Sequence, residues 1–246
     1  MKTQWVITAQ AKELGLESSF ASMDACLALQ GKQISKGPSN TVTLHEVNGQ
    51  AFYMKRFVPG KRRVRKYFVR SRVRAEWEHL LWFQKHGIAT PKILAYGEEY
   101  HAGKFIRGVL VTAALHGAKD MESLAKSHSA LIFDREKFRV IAKKIAFYTH
   151  IMHSKNFTHN DLDWRNILVT DALDVYFFDC PGGRFWVWPF LEYRIIKDLA
   201  HLDKIARECI PLRWRLWFYK QYTGRKYLNK ADRGRLQKIA RYYDGR

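Results

Sequence analysis

Residues 159–169 read HNDLDWRNILV, which puts a histidine, two carboxylates and an amide just ahead of an aliphatic run. The carboxylate of Asp161 is placed to take the proton of an attacking hydroxyl. Five residues on, the amide oxygen of Asn166 is a hard ligand of the kind Mg²⁺ takes. Three residues elsewhere extend the set: Lys55 within FYMKRF, Glu76 within SRVRAEWEHLL, and Asp179 at the end of VYFFD. A nucleoside triphosphate needs a cation at its α and β phosphates, which Lys55 supplies. A flexible ammonium must be held in place, and Glu76 can do so by ion pairing. Asp179 offers Mg²⁺ a second oxygen beside Asn166, His159 braces the loop, and Asp163 either contacts a substrate hydroxyl or, the favoured reading, supports the loop as a cap. Singly, each residue has an ordinary explanation. A strand lysine is a solvated charge, an acid on an amphipathic helix is routine, and Asp179 could start a turn before Pro181-Gly182-Gly183. In this order the set is a parts list for phosphoryl transfer.

The elements that must position these residues follow from the patterning. TVTLHEV and QAFYMKRF, rich in β-branched and aromatic residues, meet at Asn48-Gly49, a strong type I′ hairpin signal, and strand alternation can aim Lys55 into a cleft. SKGPSN (35–40) precedes the hairpin as a turn, and its Gly37 is the candidate glycine of a phosphate-covering loop. From Ser71 the period becomes helical: Val73, Trp77, Leu80 and Leu81 share one face, Glu76 borders it, and Gly87 and Pro91 end the helix. Residues 104–115 read as strand leading to a connector. Asp134 is the expected N-cap of a helix carrying Phe138, Ile141, Ala142, Ile145, Thr149 and Met152 along one face. ILVT and VYFFD are short strands around DALD, and from about residue 190 the chain is helical and basic. Residues 1–30 receive no role beyond a helix near 19–30. The order predicts an α+β fold of two lobes with a cleft between them. The N-terminal lobe (1–115) is β-rich with one main helix, and the C-terminal lobe (116–246) is mostly helical.

A 47% hydrophobic and 14% aromatic content is ample for a packed core. Cys26, Cys180 and Cys209 have neither metal-ligand spacing nor a disulfide framework, which fits a reducing compartment. The first residues lack the long apolar segment of a signal peptide, and no run approaches the roughly 20 residues of a spanning helix. The protein is therefore expected to be soluble or to sit on a surface. With 43 Lys and Arg against 23 Asp and Glu, the net charge is +20, which calls for an anionic partner. Residues 55–74 and 213–246 concentrate the basic residues, and the second stretch interleaves them with Trp, Phe and Tyr, as suits an acidic membrane surface. Basic and aromatic residues together also bind RNA. No RNA-binding motif accompanies them, however, and a nucleic-acid module would leave the catalytic set unexplained, so no nucleic-acid partner is expected.

FYMKRF, residues 71–98, HNDLDWRNILV and RIIKDLAHL (194–202) together resemble the bacterial lipopolysaccharide core kinases of the Kdo/WaaP group, a branch of the protein-kinase-like superfamily. The resemblance implies ATP- and Mg²⁺-dependent phosphorylation of a heptose or Kdo hydroxyl on the lipid-A-linked core oligosaccharide. With such a substrate, the basic and aromatic stretches would hold the enzyme peripherally at the cytoplasmic face of the inner membrane of a Gram-negative bacterium. Residue by residue, Lys55 and Glu76 would anchor ATP, Asp161 would act as base, and Asn166 and Asp179 would hold the metal. Departures from the protein-kinase pattern are Asp163 where a lysine is usual, Asn160 in place of an arginine, Asp-Cys-Pro in place of Asp-Phe-Gly, and the single Gly37. No Ala-Pro-Glu motif follows Asp179, so a protein-substrate platform is not expected. Aminoglycoside phosphotransferases share a similar catalytic loop, but a chain of charge +20 repels cationic substrates. Two alternatives stand beside the lipopolysaccharide substrate: another small-molecule or protein acceptor, and a pseudokinase scaffold.

Overall fold

The computed structural model describes residues 1–60 and 70–244. Part of the basic stretch 55–74, at 61–69, and the last two residues of 213–246 lie outside the described residues. The chain forms two compact units, Met1–Trp82 with Pro91–Leu115, and Phe83–Thr90 with His116–Arg246. Residues 83–90 thus group with the second unit rather than with the first 115 residues. Among the described residues, no helix is long and apolar enough to cross a membrane.

The first unit is built on a six-stranded antiparallel sheet. Its strands are β1 (Lys2–Ile7), β2 (Lys32–Lys36), β3 (Asn40–Val47), β4 (Gln50–Phe57), β5 (Ile93–His101) and β6 (Lys104–Ala113), in the order β1-β5-β6-β4-β3-β2. The β3–β4 hairpin closes through Asn48 at φ 52° and Gly49 at φ 71°, the left-handed pair a type I′ turn requires. Alternation along β4 sends Phe52 and Met54 into a core with Leu94, Val109 and Val111. Short helices α1 (Ala9–Glu13) and α2 (Met23–Ala28), with the 3₁₀ turn Ser18–Phe20 between them, cover that core with Ala11, Phe20, Met23 and Cys26. Trp5 fixes the cover by donating from Nε1 to the Phe20 carbonyl at 2.8 Å. Residues 9–28 therefore roof one face of the sheet, of which β1 is itself an edge strand. Helix α3 (Arg72–Lys85) contributes the buried Val73, Trp77 and Leu80, and Trp77 packs on Tyr96 with ring centroids 5.0 Å apart. Gly108 has no side chain because Val73 occupies the place where a Cβ would sit.

The second unit is mostly helical. Its helices are α4 (Met121–Lys126), α5 (Ala130–Phe133), α6 (Arg135–Ser154), α7 (Phe190–Cys209), α8 (Leu212–Thr223) and α9 (Lys230–Ala240). Asp134 caps α6 by accepting from the amides of Glu136 and Lys137, and the Phe138–Met152 stripe of that helix is buried. Ala146 of α6 joins a core with Ile195, Leu199, Tyr219, Tyr222 and Ile239 from the three C-terminal helices. Two small sheets carry the loops of interest. Strands β7 (Lys119–Asp120), β9 (Ile167–Val169) and β10 (Val175–Phe177) form one in the order β10-β9-β7, and β8 (Phe157–Thr158) pairs with β11 (Arg184–Phe185) in the other.

Candidate active site

In the first unit, Lys55 projects from the centre of β4 on the face opposite Phe52 and Met54. Its Nζ donates to both carboxylate oxygens of Glu76 on α3, each at 2.9 Å. Both side chains are largely buried, with 14% of Lys55 and 4% of Glu76 exposed. A buried ammonium held at two points by a carboxylate is a fixed cation, as a phosphate-binding lysine must be. Glu76 is thus buried rather than bordering the apolar stripe, because the Lys55 ammonium compensates its charge. Gly37 lies in the β2–β3 turn and gives its own amide to the Asn40 carbonyl at 2.8 Å.

In the second unit, β8 delivers the chain into His159–Asp161, two further residues lead to a single 3₁₀ turn at Trp164–Asn166, and β9 carries it away. Asp161 is partly exposed, whereas Asn166 is buried. The Asn166 amide nitrogen donates to the Asp161 carbonyl at 2.7 Å and to Asp161 Oδ2 at 3.2 Å. This leaves the amide oxygen of Asn166 as the atom available to a cation. The β9–β10 ladder pairs Ile167 with Phe177, and the Phe178 amide donates to the Asn166 carbonyl at 3.2 Å. Asp179 comes next in the chain, in the left-handed conformation at φ 52°, so strand pairing brings the backbone at residue 179 beside that of Asn166.

The loop is held from beneath by Asp198 of α7, which has no exposed surface. Its carboxylate accepts from the His159 amide at 2.7 Å and the Asn160 amide at 2.8 Å, and His153 Nε2 lies 3.3 Å away. Asn160, at φ 65°, donates from its side chain to the Gly182 carbonyl at 2.8 Å. His159 is fully buried against Phe83, with ring centroids 6.3 Å apart. Burial drives its pKa down, against the pull of the Asp198, Asp161 and Asp179 carboxylates, so the ring is uncharged.

Asp163 departs from its expected role as a cap. It occupies the N-cap position of the Trp164–Asn166 turn, but its side chain makes no capping bond. Instead its Oδ2 lies 3.2 Å from His201 Nδ1 and 3.6 Å from Arg165 Nη2. Burial pushes the Asp163 pKa up, but His201, Arg165 and a hydrogen bond with Asp161 outweigh burial and hold it below the usual carboxylate range. Arg165 also reaches both Asp161 oxygens, at 3.3 and 3.2 Å. Ligand atoms of Asp161, Asp163 and His201 lie within 4.8 Å of one another. The Arg165 guanidinium already balances both carboxylates there, so the trio is a paired network rather than a cation site.

Asp198, Arg165 and His201 were not singled out from sequence. The signal for Asp198 and His201 was the RIIKDLAHL stretch, but a carboxylate and an imidazole on an amphipathic helix carry no mark of the loop they meet.

Residues 32–180 match the model of the lipopolysaccharide kinase (Kdo/WaaP) family. Among solved structures, "WaaP in complex with acyl carrier protein" is similar with a TM-score of 0.71 at 20% identity, covering 97% of each chain. That likeness shows the α+β, protein-kinase-like fold. The comparison with curated proteins finds no match. Because the family model spans more than half of the sequence, the chain belongs to the lipopolysaccharide kinase (Kdo/WaaP) family.

Proposed function

We propose that this kinase uses ATP and Mg²⁺ to phosphorylate a sugar hydroxyl, of heptose or Kdo, in the inner core of lipopolysaccharide at the cytoplasmic face of the inner membrane. The observation that carries this is the loop in which Asn166 is tied to Asp161, within a chain of the lipopolysaccharide kinase family. Asp161 is the base that accepts the proton of the sugar hydroxyl, and its exposure leaves it reachable by an acceptor. Lys55, fixed by Glu76, binds the α and β phosphates of ATP. The Asn166 amide oxygen and the Asp179 carboxylate fit Mg²⁺, which takes hard oxygen ligands and neutralises phosphate charge when bound. His159 and Asp163 support the loop, one by packing and the other through His201 and Arg165. The charge of +20 favours an acceptor that carries phosphate groups and lies in an acidic membrane.

The test is transfer of labelled phosphate from ATP to purified core lipopolysaccharide and to its delipidated oligosaccharide, comparing wild type with Asp161→Ala. Core-dependent transfer that disappears in the variant is the expected result. ATP binding without transfer to either acceptor would refute the lipopolysaccharide substrate, and absence of ATP binding would refute the kinase itself.

A further inference from the structure

Residues 184–194 read RFWVWPFLEYR and lead from β11 into α7. Their large apolar side chains face outward: Trp188 is 85% exposed, Val187 73%, Phe190 62%, Phe185 53% and Tyr193 49%. Isolated exposed hydrophobics are normal on soluble proteins, but five within nine residues form a continuous patch that needs an apolar partner. The segment is also electrostatically polarised. Its one acid, Glu192, is clamped by Arg235 through two bonds of 2.7 Å. Its two arginines, by contrast, stack on a single indole: Arg184 and Arg194 lie 5.6 and 4.2 Å from the Trp186 ring. A guanidinium laid on an aromatic face keeps its edge N–H groups available to oxygen anions. Apolar rings pointing out beside oriented cations match a bilayer interface, with acyl chains below and lipid phosphates at the rim.

We infer that residues 184–194 are a membrane anchor that docks on an anionic phospholipid surface, with Trp188 and Phe190 entering the interface and Arg184 and Arg194 meeting lipid phosphates. A second copy of the chain is a poorer occupant, because pairing this face with itself would bring its arginines together on two molecules that each carry +20. The anchor is joined to the catalytic loop. Arg184 and Phe185 pair with Thr158 and Phe157 of β8, the strand that runs directly into His159. The Phe157 and Phe185 rings lie 5.0 Å apart, the Trp186 amide donates to the Asn156 carbonyl at 2.9 Å, and Asn160 reaches back to Gly182. Docking this segment therefore sets the height of Asp161 above the lipid surface. The inference rests on the proposed function only in taking the acceptor to be lipid-linked.

The experiment is co-sedimentation of the full chain with phosphatidylcholine vesicles, with and without phosphatidylglycerol. Wild type is compared with Trp188→Ser/Phe190→Ser, with Trp188→Phe, and with Tyr227→Ser in the C-terminal basic stretch. Thermal melting verifies that each variant is folded. Wild type, Trp188→Phe and Tyr227→Ser are expected to bind the anionic vesicles, and the double variant to bind at least tenfold more weakly. Wild-type tryptophan emission should shift to the blue on binding, a shift that Trp188→Phe diminishes while still binding. Binding of the double variant within twofold of wild type, no wild-type binding to anionic vesicles, or a wild-type dimer that the double variant dissociates would each overturn the anchor. Phosphate transfer to the delipidated oligosaccharide needs no bilayer, so failure of the anchor and failure of the kinase assignment are separable.

Discussion

Replacing Asp198 with alanine removes the one buried carboxylate that holds the His159–Asn160 peptide in place. The His159 amide is buried and loses its acceptor on Asp198, which costs about 1–3 kcal/mol, and the less deeply buried Asn160 amide adds about 1 kcal/mol. With the lost contact to His153, the total is about 3–5 kcal/mol, the range for breaking a buried charged interaction by deleting one partner. For a chain of this size each kcal/mol shifts the melting temperature by about 2–4 °C, so the variant should melt about 10 °C lower. Asp198→Asn keeps one acceptor oxygen and should lose about half as much. Hydrogen exchange gives a local readout, since the His159 and Asn160 amides should be protected in wild type and exchange rapidly in Asp198→Ala. Loosening Asp161 by even an ångström should lower kcat about 100-fold. A variant that melts within 2 °C of wild type with both amides still protected would refute the claim that Asp198 sets the loop.

Further outcomes follow from other contacts. Glu76→Gln leaves the Lys55 ammonium without its counter-charge, so kcat/KM for ATP should fall about 30-fold, equivalent to about 2 kcal/mol; unchanged kinetics with varied ATP would count against the anchoring role. Burial lowers the pKa of both His45 and His159, so the folded protein resists protonating them while the unfolded chain takes up protons near pH 6.5. Stability should therefore fall as the pH drops from about 7.5 to 5.5, and His159→Phe should flatten the profile of urea midpoints. A Cβ at Gly97 would collide with the Gln4 carbonyl and approach Trp5 Cε3 to 2.8 Å, so Gly97→Ala should cost about 1–3 kcal/mol and release the β1 amides to exchange; a neutral substitution would mean that β1 yields without cost.

What could be read in advance was what neighbouring residues decide. Asn48-Gly49 fixes a hairpin because its left-handed backbone is a local requirement, and the α6 stripe from Phe138 to Met152 follows from helical period alone. The contact of Asn166 with Asp161 is likewise within a single loop. Long-range contacts left no such trace. Helices α1 and α2 are too short to show a clear period, and their place on the sheet is set by Phe20, Met23 and Cys26 meeting strands far along the chain. Asp163 looked like a cap because a carboxylate before a turn is one by default; His201, arriving on α7, redirected it. Residues 185–193 carry the composition of a core strand, yet their exposure is a tertiary fact that alternation does not encode.

The pairing of β1 with β5 has a consequence for how the first unit comes into being during synthesis. Strand Lys2–Ile7 finds its partner only when Ile93–His101 has left the ribosome, and β5 is in turn flanked by β6, ending at Ala113. At about 5–20 residues per second, β1 and the helices beside it wait about 5–20 s with their apolar side chains uncovered. The sheet thus closes from its interior strands outward, and β1 arrives late as an edge. Nascent-chain capture by a chaperone should peak before residue 101 emerges and decline once β5 and β6 are out, which makes β1, made ahead of its partners in the sheet, among the last of them to be secured.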